Sequence, residues 1–315
     1  MKIPESRFQS NTSRSPRRLL VVVAVAVLAG LLVTAALLLV RSRTPMLAIG
    51  QTEKPQSAIE MWNQERYDEV VTLTTEQLGQ FPLDPTALTL RGFSRFYLAM
   101  DAVDTDGRHD LLVGAIRDLR RVLLLPNPEL EPQIHYVLGK AYFHRGEFFY
   151  DSATTELVAA RDQGVVRLDL LEYLALASRD LGRTDDAIGY FHDAIELGDE
   201  AIHRVTLADI LIGEGRYSEA DALLSRAIDQ TEDTTILQDA LLSLGRSYRL
   251  QERFDESIDV YQRILEINES SAEAHFGIGE VYLAQGEQDR ARFEWREAIR
   301  LDPNHIESLQ RLQEY

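Results

Sequence analysis

Apolar and small residues recur at helical spacing through most of this chain, and they do so in paired segments. Leu171, Leu174, Ala175 and Ser178 share one helical face, and Ala187, Phe191 and Ala194 recur at i, i+4 and i+7 on a second helix. Gly182 stands between them, where a tight turn takes positive φ at no steric cost. The arrangement returns as Leu207, Ala208, Leu211, Gly215, Ala220, Leu224 and Ala227, then as Leu244, Gly245, Tyr248, Ser257, Tyr261 and Ile264. A further copy reads Ile278, Gly279, Tyr282, Gly286, Ala291, Trp295, Ala298 and Pro303. Ala187, Ala220, Ser257 and Ala291 mark the period, with steps of 33, 37 and 34 residues. A period of about 34 predicts stacked helix–turn–helix units, with small residues where paired helices approach and a large residue between units.

Weaker copies lie upstream. Leu138, Gly139, Tyr142 and Gly146 fit a first helix, and Ala153, Leu157 and Ala160 fit its partner if two residues are inserted after Gly146. Gly92 pairs with Ala115, Leu119 and Val122 across a gap of 23 residues, which implies an insertion between the two helices. A partial unit holds Ala58, Met61, Tyr67, Val70 and Pro82. After Pro303, Ile306, Leu309 and Leu312 form the apolar face of a last helix, predicted to cover the core of the final unit.

The pattern resembles the tetratricopeptide repeat. That family places a small residue at position 8 of each unit, Tyr at 11, Ala at 20, an aromatic at 24, Ala at 27 and Pro at 32, and Gly279, Tyr282, Ala291, Trp295, Ala298 and Pro303 match all six. The resemblance implies an all-α, right-handed α-solenoid of about seven helix pairs over residues 55–303. The units fall near 55–85, 86–128, 132–165, 168–200, 201–232, 238–270 and 272–303, with 304–315 as a capping helix. Such proteins bind peptides or helices of partner proteins, and several bacterial ones with a single anchor serve envelope assembly.

A different pattern occupies the N-terminus. Leu19 to Val40 is an uncharged run with Thr34 as its only polar side chain, long enough as a helix to span about 33 Å. A cleaved signal peptide is the rival reading, but its apolar region usually runs only about 7–15 residues. Arg41 and Arg43 follow this longer run directly, and residues 19–40 are read as an uncleaved transmembrane helix that engages the lipid bilayer. Lys2, Arg7, Arg14, Arg17 and Arg18 make residues 1–18 a basic tail, expected in the cytoplasm; 41–54 form a linker. The repeats are then expected on the extracytoplasmic side of the inner membrane. Ala26, Gly30 and Thr34 form a stripe at i, i+4 and i+8 that suits self-association of this helix, and ordinary small residues facing lipid give the same pattern.

Groove positions follow from the resemblance, which puts positions 2, 5, 9, 12 and 13 of each first helix on the concave face. The candidate peptide-binding residues are Phe93, Phe96, Tyr97, Tyr136, Lys140, Phe143, Arg179, Arg246 and Arg249. Aromatic and arginine side chains are the usual anchors at such surfaces. His144 and Glu172 stand beside them. One branch of the family clamps a chaperone's C-terminal carboxylate with Lys and Asn at positions 5 and 9; Tyr136/Lys140, Glu172/Leu176, Val205/Asp209, Leu242/Arg246 and Phe276/Glu280 do not fit it.

Charge narrows the partner. Residues 1–54 carry eight Lys/Arg against Glu5 and Glu53, a net of +6, whereas 55–315 carry 25 Lys/Arg against 49 Asp/Glu, a net of −24. So acidic a surface repels phosphate backbones, and no nucleic acid is expected as partner. Only Lys2, Lys54 and Lys140 are lysines, a bias ascribed to genome composition. The absence of cysteine excludes disulfides, thiol nucleophiles and thiolate metal sites. Asp101, Asp104, Asp106, Gly107 and Asp110 have the look of a calcium loop, but Ala102 and Val113 stand where it needs acids; the stretch reads as an irregular, solvated insertion. The seven histidines lack ligand spacing, and Gly213-Glu214-Gly215 and Gly277-Ile278-Gly279 are repeat positions. No catalytic residue, metal or cofactor is expected. The expected function is a protein-binding scaffold. The alternatives are a structural subunit that uses its convex face and a cytoplasm-facing adaptor.

Overall fold

The computed structural model describes residues 54–315, and every regular element there is helical. The helices come in pairs: α1 (Lys54–Asn63) with α2 (Tyr67–Gln80), α3 (Pro85–Asp101) with α4 (Thr105–Leu123), and α5 (Glu131–His144) with α6 (Tyr150–Asp162). They continue as α7 (Leu168–Asp180) with α8 (Thr184–Leu197), α9 (Ala201–Gly213) with α10 (Tyr217–Gln230), and α11 (Thr234–Leu250) with α12 (Phe254–Ile267). The last pair is α13 (Ala272–Ala284) with α14 (Gln288–Leu301), followed by α15 (Ile306–Glu314). The described residues hold fifteen α-helices, and those from α5 onward stack as an all-helical solenoid. Among these residues no helix is long and apolar enough to cross a membrane. The predicted span 19–40 and its small-residue stripe lie outside the described residues.

The chain divides into two compact units at Ser94 and Arg95, within α3. In the first, α1 packs on α2, and Trp62 lies 5.1 Å from the Tyr67 ring and 6.0 Å from Phe93. Asp84 opens α3 by accepting from the Ala87 backbone N–H at 2.8 Å and ties it to α2 by accepting from Gln77 at 2.9 Å. In the second unit, paired helices from α5 to α14 pack on each other, and each second helix packs on the first helix of the next pair. First helices also touch across pairs, α5 on α7, α9 on α11 and α11 on α13, so they share one face.

Close approach is what the small residues supply. Ala187, Ala220, Ser257 and Ala291 are fully buried, and Phe191, Leu224, Tyr261 and Trp295 are buried one turn later. Tyr261 sits against both Gly245 of its own pair and Gly277 of the next; a Cβ at either position would collide with the ring. Gly139 approaches Leu157, and Gly279 approaches Trp295, in the same way. Ser257 adds a hydrogen bond to the Gly245 carbonyl at 2.7 Å, an alanine-sized side chain with one polar tie.

The turns inside the four pairs from α7 to α14 share one closure. The backbone N–H groups of Arg183, Arg216, Arg253 and Glu287 reach back five residues to Ser178, Leu211, Tyr248 and Tyr282 at 2.8–2.9 Å. This Schellman closure needs a left-handed residue just before the donor. Gly182, Gly215 and Gly286 provide it at φ 73°, 72° and 82°, and Glu252 does so at φ 60°.

Three expectations change. The stretch around Asp104 is solvated but not irregular: α3 and α4 extend to within three residues of each other, and Asp104 caps α4 by accepting from the Gly107 N–H at 2.7 Å. The extra residues near Gly146 form a short 3-10 turn, Glu147–Phe149, ahead of α6. The last helix packs on α14 with a different face from the predicted apolar one. Ile306 is 63% exposed and Leu309 is exposed as well, while Ser308 is buried. Polar anchors set that rotation: His305 accepts from the Ser308 N–H at 3.2 Å with its ring 5.3 Å from Phe276, and Arg311 forms a paired hydrogen bond to Glu280 on α13 at 2.8–2.9 Å.

The wedge at Tyr261 gives a direct test. Gly277→Ala is expected to destabilise the protein by about 1–3 kcal/mol through overpacking. Gly79→Ala in α2, where an added Cβ meets nothing within 4 Å, is expected to be neutral or to stabilise by up to about 1 kcal/mol. Urea denaturation of the two variants checks both signs.

Candidate functional site

First helices bring the predicted groove aromatics of the second unit together. Phe96 and Tyr97 come from α3, Tyr136, Lys140, Phe143 and His144 from α5, and Asp169 and Tyr173 from α7. The four α5 residues lie on one stripe because they follow i, i+4 and i+7 steps along a helix. Phe143 stacks on Tyr150 at 5.0 Å and meets the Tyr173 ring edge-on at 4.9 Å. His144 lies 6.3 Å from Phe96 and 2.9 Å from the Tyr173 hydroxyl.

A polar knot holds the centre. The Tyr136 hydroxyl donates a short hydrogen bond to Asp169. Lys140 donates to the same carboxylate oxygen at 2.9 Å and to the Tyr136 oxygen at 3.2 Å. Arg167, just ahead of α7, reaches the other Asp169 oxygen at 3.4 Å. Burial alone would raise the Asp169 pKa, but Lys140, Tyr136 and Arg167 together bring it below the usual carboxylate value. Burial and the adjoining Asp169 carboxylate push the Tyr136 phenol well up, and the same two causes raise Tyr173. Both tyrosines therefore stay neutral donors, and Asp169 stays charged, across the physiological range.

The nine predicted residues fall into distinct environments. Phe93 is buried in the first unit beside Trp62. Phe96 and Tyr136 are buried and act as walls, while Tyr97 stays 39% exposed at the edge of Phe96. Lys140 is paired inside the cluster, and Phe143 is half-buried among the rings. Arg179 is exposed and paired with its neighbour Asp180 at 2.8 Å. Arg246 is exposed on α11 and Arg249 half-buried there. Beneath them Tyr261 has its pKa raised to about 12 by burial, with both arginines opposing the shift. Asp169, Tyr173 and Arg167 completed the knot without being singled out in the sequence. The signal for them was the repeat itself: Asp169 follows Tyr136 by 33 residues, and Tyr173 follows His144 by 29.

Comparisons with known proteins agree with this architecture. Residues 245–286 match the family described as TPR repeat, and residues 272–305 match the one described as Tetratricopeptide repeat. The TPR repeat-containing protein YpiA of Bacillus subtilis (strain 168) is 22% identical over 186 residues, 58% of this chain. The match spans 42% of that relative's length. The C-terminal part of a TPR repeat-containing protein from Cytophaga hutchinsonii superposes with a TM-score of 0.60 at 18% identity, covering 82% of this chain and 99% of that one. MamA superposes with a TM-score of 0.48 at 21% identity over 56% of this chain and 94% of its own. The two repeat-family matches and YpiA support the tetratricopeptide repeat family, and the Cytophaga hutchinsonii structure shows the same fold. Proteins of that family generally mediate protein–protein interaction, and the fold is typically non-enzymatic.

His144 sets a pH dependence. Its exposed edge aside, the surrounding rings strip water from the imidazole, and with Lys140 and Arg108 nearby this lowers its pKa to about 4. The unfolded chain, at about 6.5, takes the proton first as pH falls. The stability His144 contributes is therefore whole above pH ~6.5 and is lost as pH falls toward 4. His144→Gln is expected to flatten the fall in Tm between those values relative to wild type, read by circular dichroism melts across the range.

Proposed function

We propose that this chain is a membrane-anchored scaffold that captures a partner protein or peptide on the face shared by its first helices. The partner would be held for envelope assembly, secretion or folding. The observation that carries the reading is the convergence of α3, α5 and α7 on one aromatic cluster with Tyr97 at its rim, while Arg246 stands exposed on α11 of the same series. Rings and arginines presented on a rigid helical frame lose little entropy on binding. The uncharged run 19–40 supports the anchor, and the larger number of basic residues ahead of it supports repeats outside the cytoplasm. A convex-face reading is favoured by one observation: Phe293, on the second helix α14, is 59% exposed.

Capture from solubilised membranes by the full-length protein distinguishes the two faces. Tyr97→Ala with Arg246→Ala is expected to lower recovery of bound protein several-fold while leaving stability within about 0.5 kcal/mol, since both side chains are exposed. Loss on Phe293→Ala with the groove variant unaffected would instead favour the convex face. For orientation, a reporter active only outside the cytoplasm, fused after Tyr315, is expected to be active. An inactive fusion that is present at normal level overturns that topology.

A further inference from the structure

Lys140 is the lone lysine after Lys54 in a chain that otherwise uses arginine, and three aromatic rings surround it. Its ammonium lies 5.6 Å from the Phe96 ring centroid, 5.0 Å from Tyr136 and 5.2 Å from Tyr173. All three are within the range of about 6 Å over which a ring face attracts a cation. Asp169 closes the remaining side at 2.9 Å. The Phe96 and Tyr173 rings, the hydroxyl edge of Tyr136 and a carboxylate around one ammonium make a receptor for an alkylammonium group.

We infer that Phe96, Tyr136, Tyr173 and Asp169 form a binding box for an ammonium side chain of the partner, and that Lys140 fills it in the free protein as an internal competitor. The inference rests on the groove reading above. The walls do not depend on Lys140 for their positions. Tyr136 is fixed by its bond to Asp169, Tyr173 by His144 and Phe143, and Phe96 by burial and the Tyr97 edge. Lys140 enters on a flexible four-carbon stem from the helix that carries Tyr136, one turn away. Its side chain is 17% exposed and that of Asp169 33%, so the box opens to solvent and the stem can swing out.

The exchange is balanced. An incoming ammonium replaces the Lys140 ion pair and ring contacts with equivalent ones, and Lys140 regains water. In the free protein Lys140 joins Arg167 and the Tyr136 hydroxyl in offsetting the Asp169 charge. The net charge of −24 over residues 55–315 draws a basic segment toward the box. A groove residue that contacts the partner directly loses affinity when truncated; an internal competitor does the reverse.

The test uses methylammonium chloride as probe and the purified protein, with binding followed by NMR of ring-labelled tyrosine. Lys140→Ala is expected to bind the probe at least about tenfold more tightly than wild type, and Tyr173→Leu in the same background to lose the gain. Lys140→Gln carries the same comparison if the alanine variant unfolds. Binding no tighter than wild type in the folded variants overturns the box, and so does loss of the fold in both, which would make Lys140 a structural group. No partner enters the titration, so its failure removes the box alone and leaves the groove to the capture experiment.

Discussion

The structure depends on how closely two helix backbones can approach. In the α5–α6, α11–α12 and α13–α14 pairs a glycine faces a large side chain, and at Tyr261 that side chain also spans to the next pair. Tyr261 shows the constraint most sharply, because its ring is in contact with Gly245 and Gly277 at once. Enlarging either glycine disturbs two pairs, whereas an exposed residue of the same helices disturbs none. Stability in such an array is a sum of unit and neighbour contributions rather than the property of one central core. That additivity lets exposed groove positions change with little effect on folding.

The legible part of the fold was the part imposed by that packing. Ala187, Ala220, Ser257 and Ala291 are buried because a larger residue would not fit, so spacing alone revealed the helix pairs. The failures occur where polar contacts decide. Three apolar residues in α15 seemed to define its buried face, but His305 and Arg311 found partners on α13 and rotated the helix, leaving Ile306 in solvent. Asp104 looked like part of a solvated loop because its capping bond leaves no periodic trace in sequence.

The candidate site was legible only in outline. The repeat placed Tyr136 and Lys140 on an inner face, but not their partner one repeat later. A carboxylate at the start of α7 becomes the centre of a knot only when the superhelical step carries it beside α5. The aromatic residues there differ in burial: Phe96 and Tyr136 are buried, and Tyr97 stays exposed at the edge of Phe96. Sequence position could not separate these roles, because adjacent helical residues differ by about 100° in direction and hence in burial.

Glu252 carries a consequence of another kind. Four of the turns inside the pairs from α5 to α14 place glycine at positive φ, and the α11–α12 turn holds Glu252 there instead. A non-glycine residue in that region stores roughly 1 kcal/mol of backbone strain. In a linear array, strain is not shared with distant pairs, so it lowers the free energy of opening locally. Arg246 and Arg249 ride on that same pair. These two arginines thus sit on a joint inclined to breathe, and the amide protons there should exchange through brief, partial opening rather than through unfolding of the whole array.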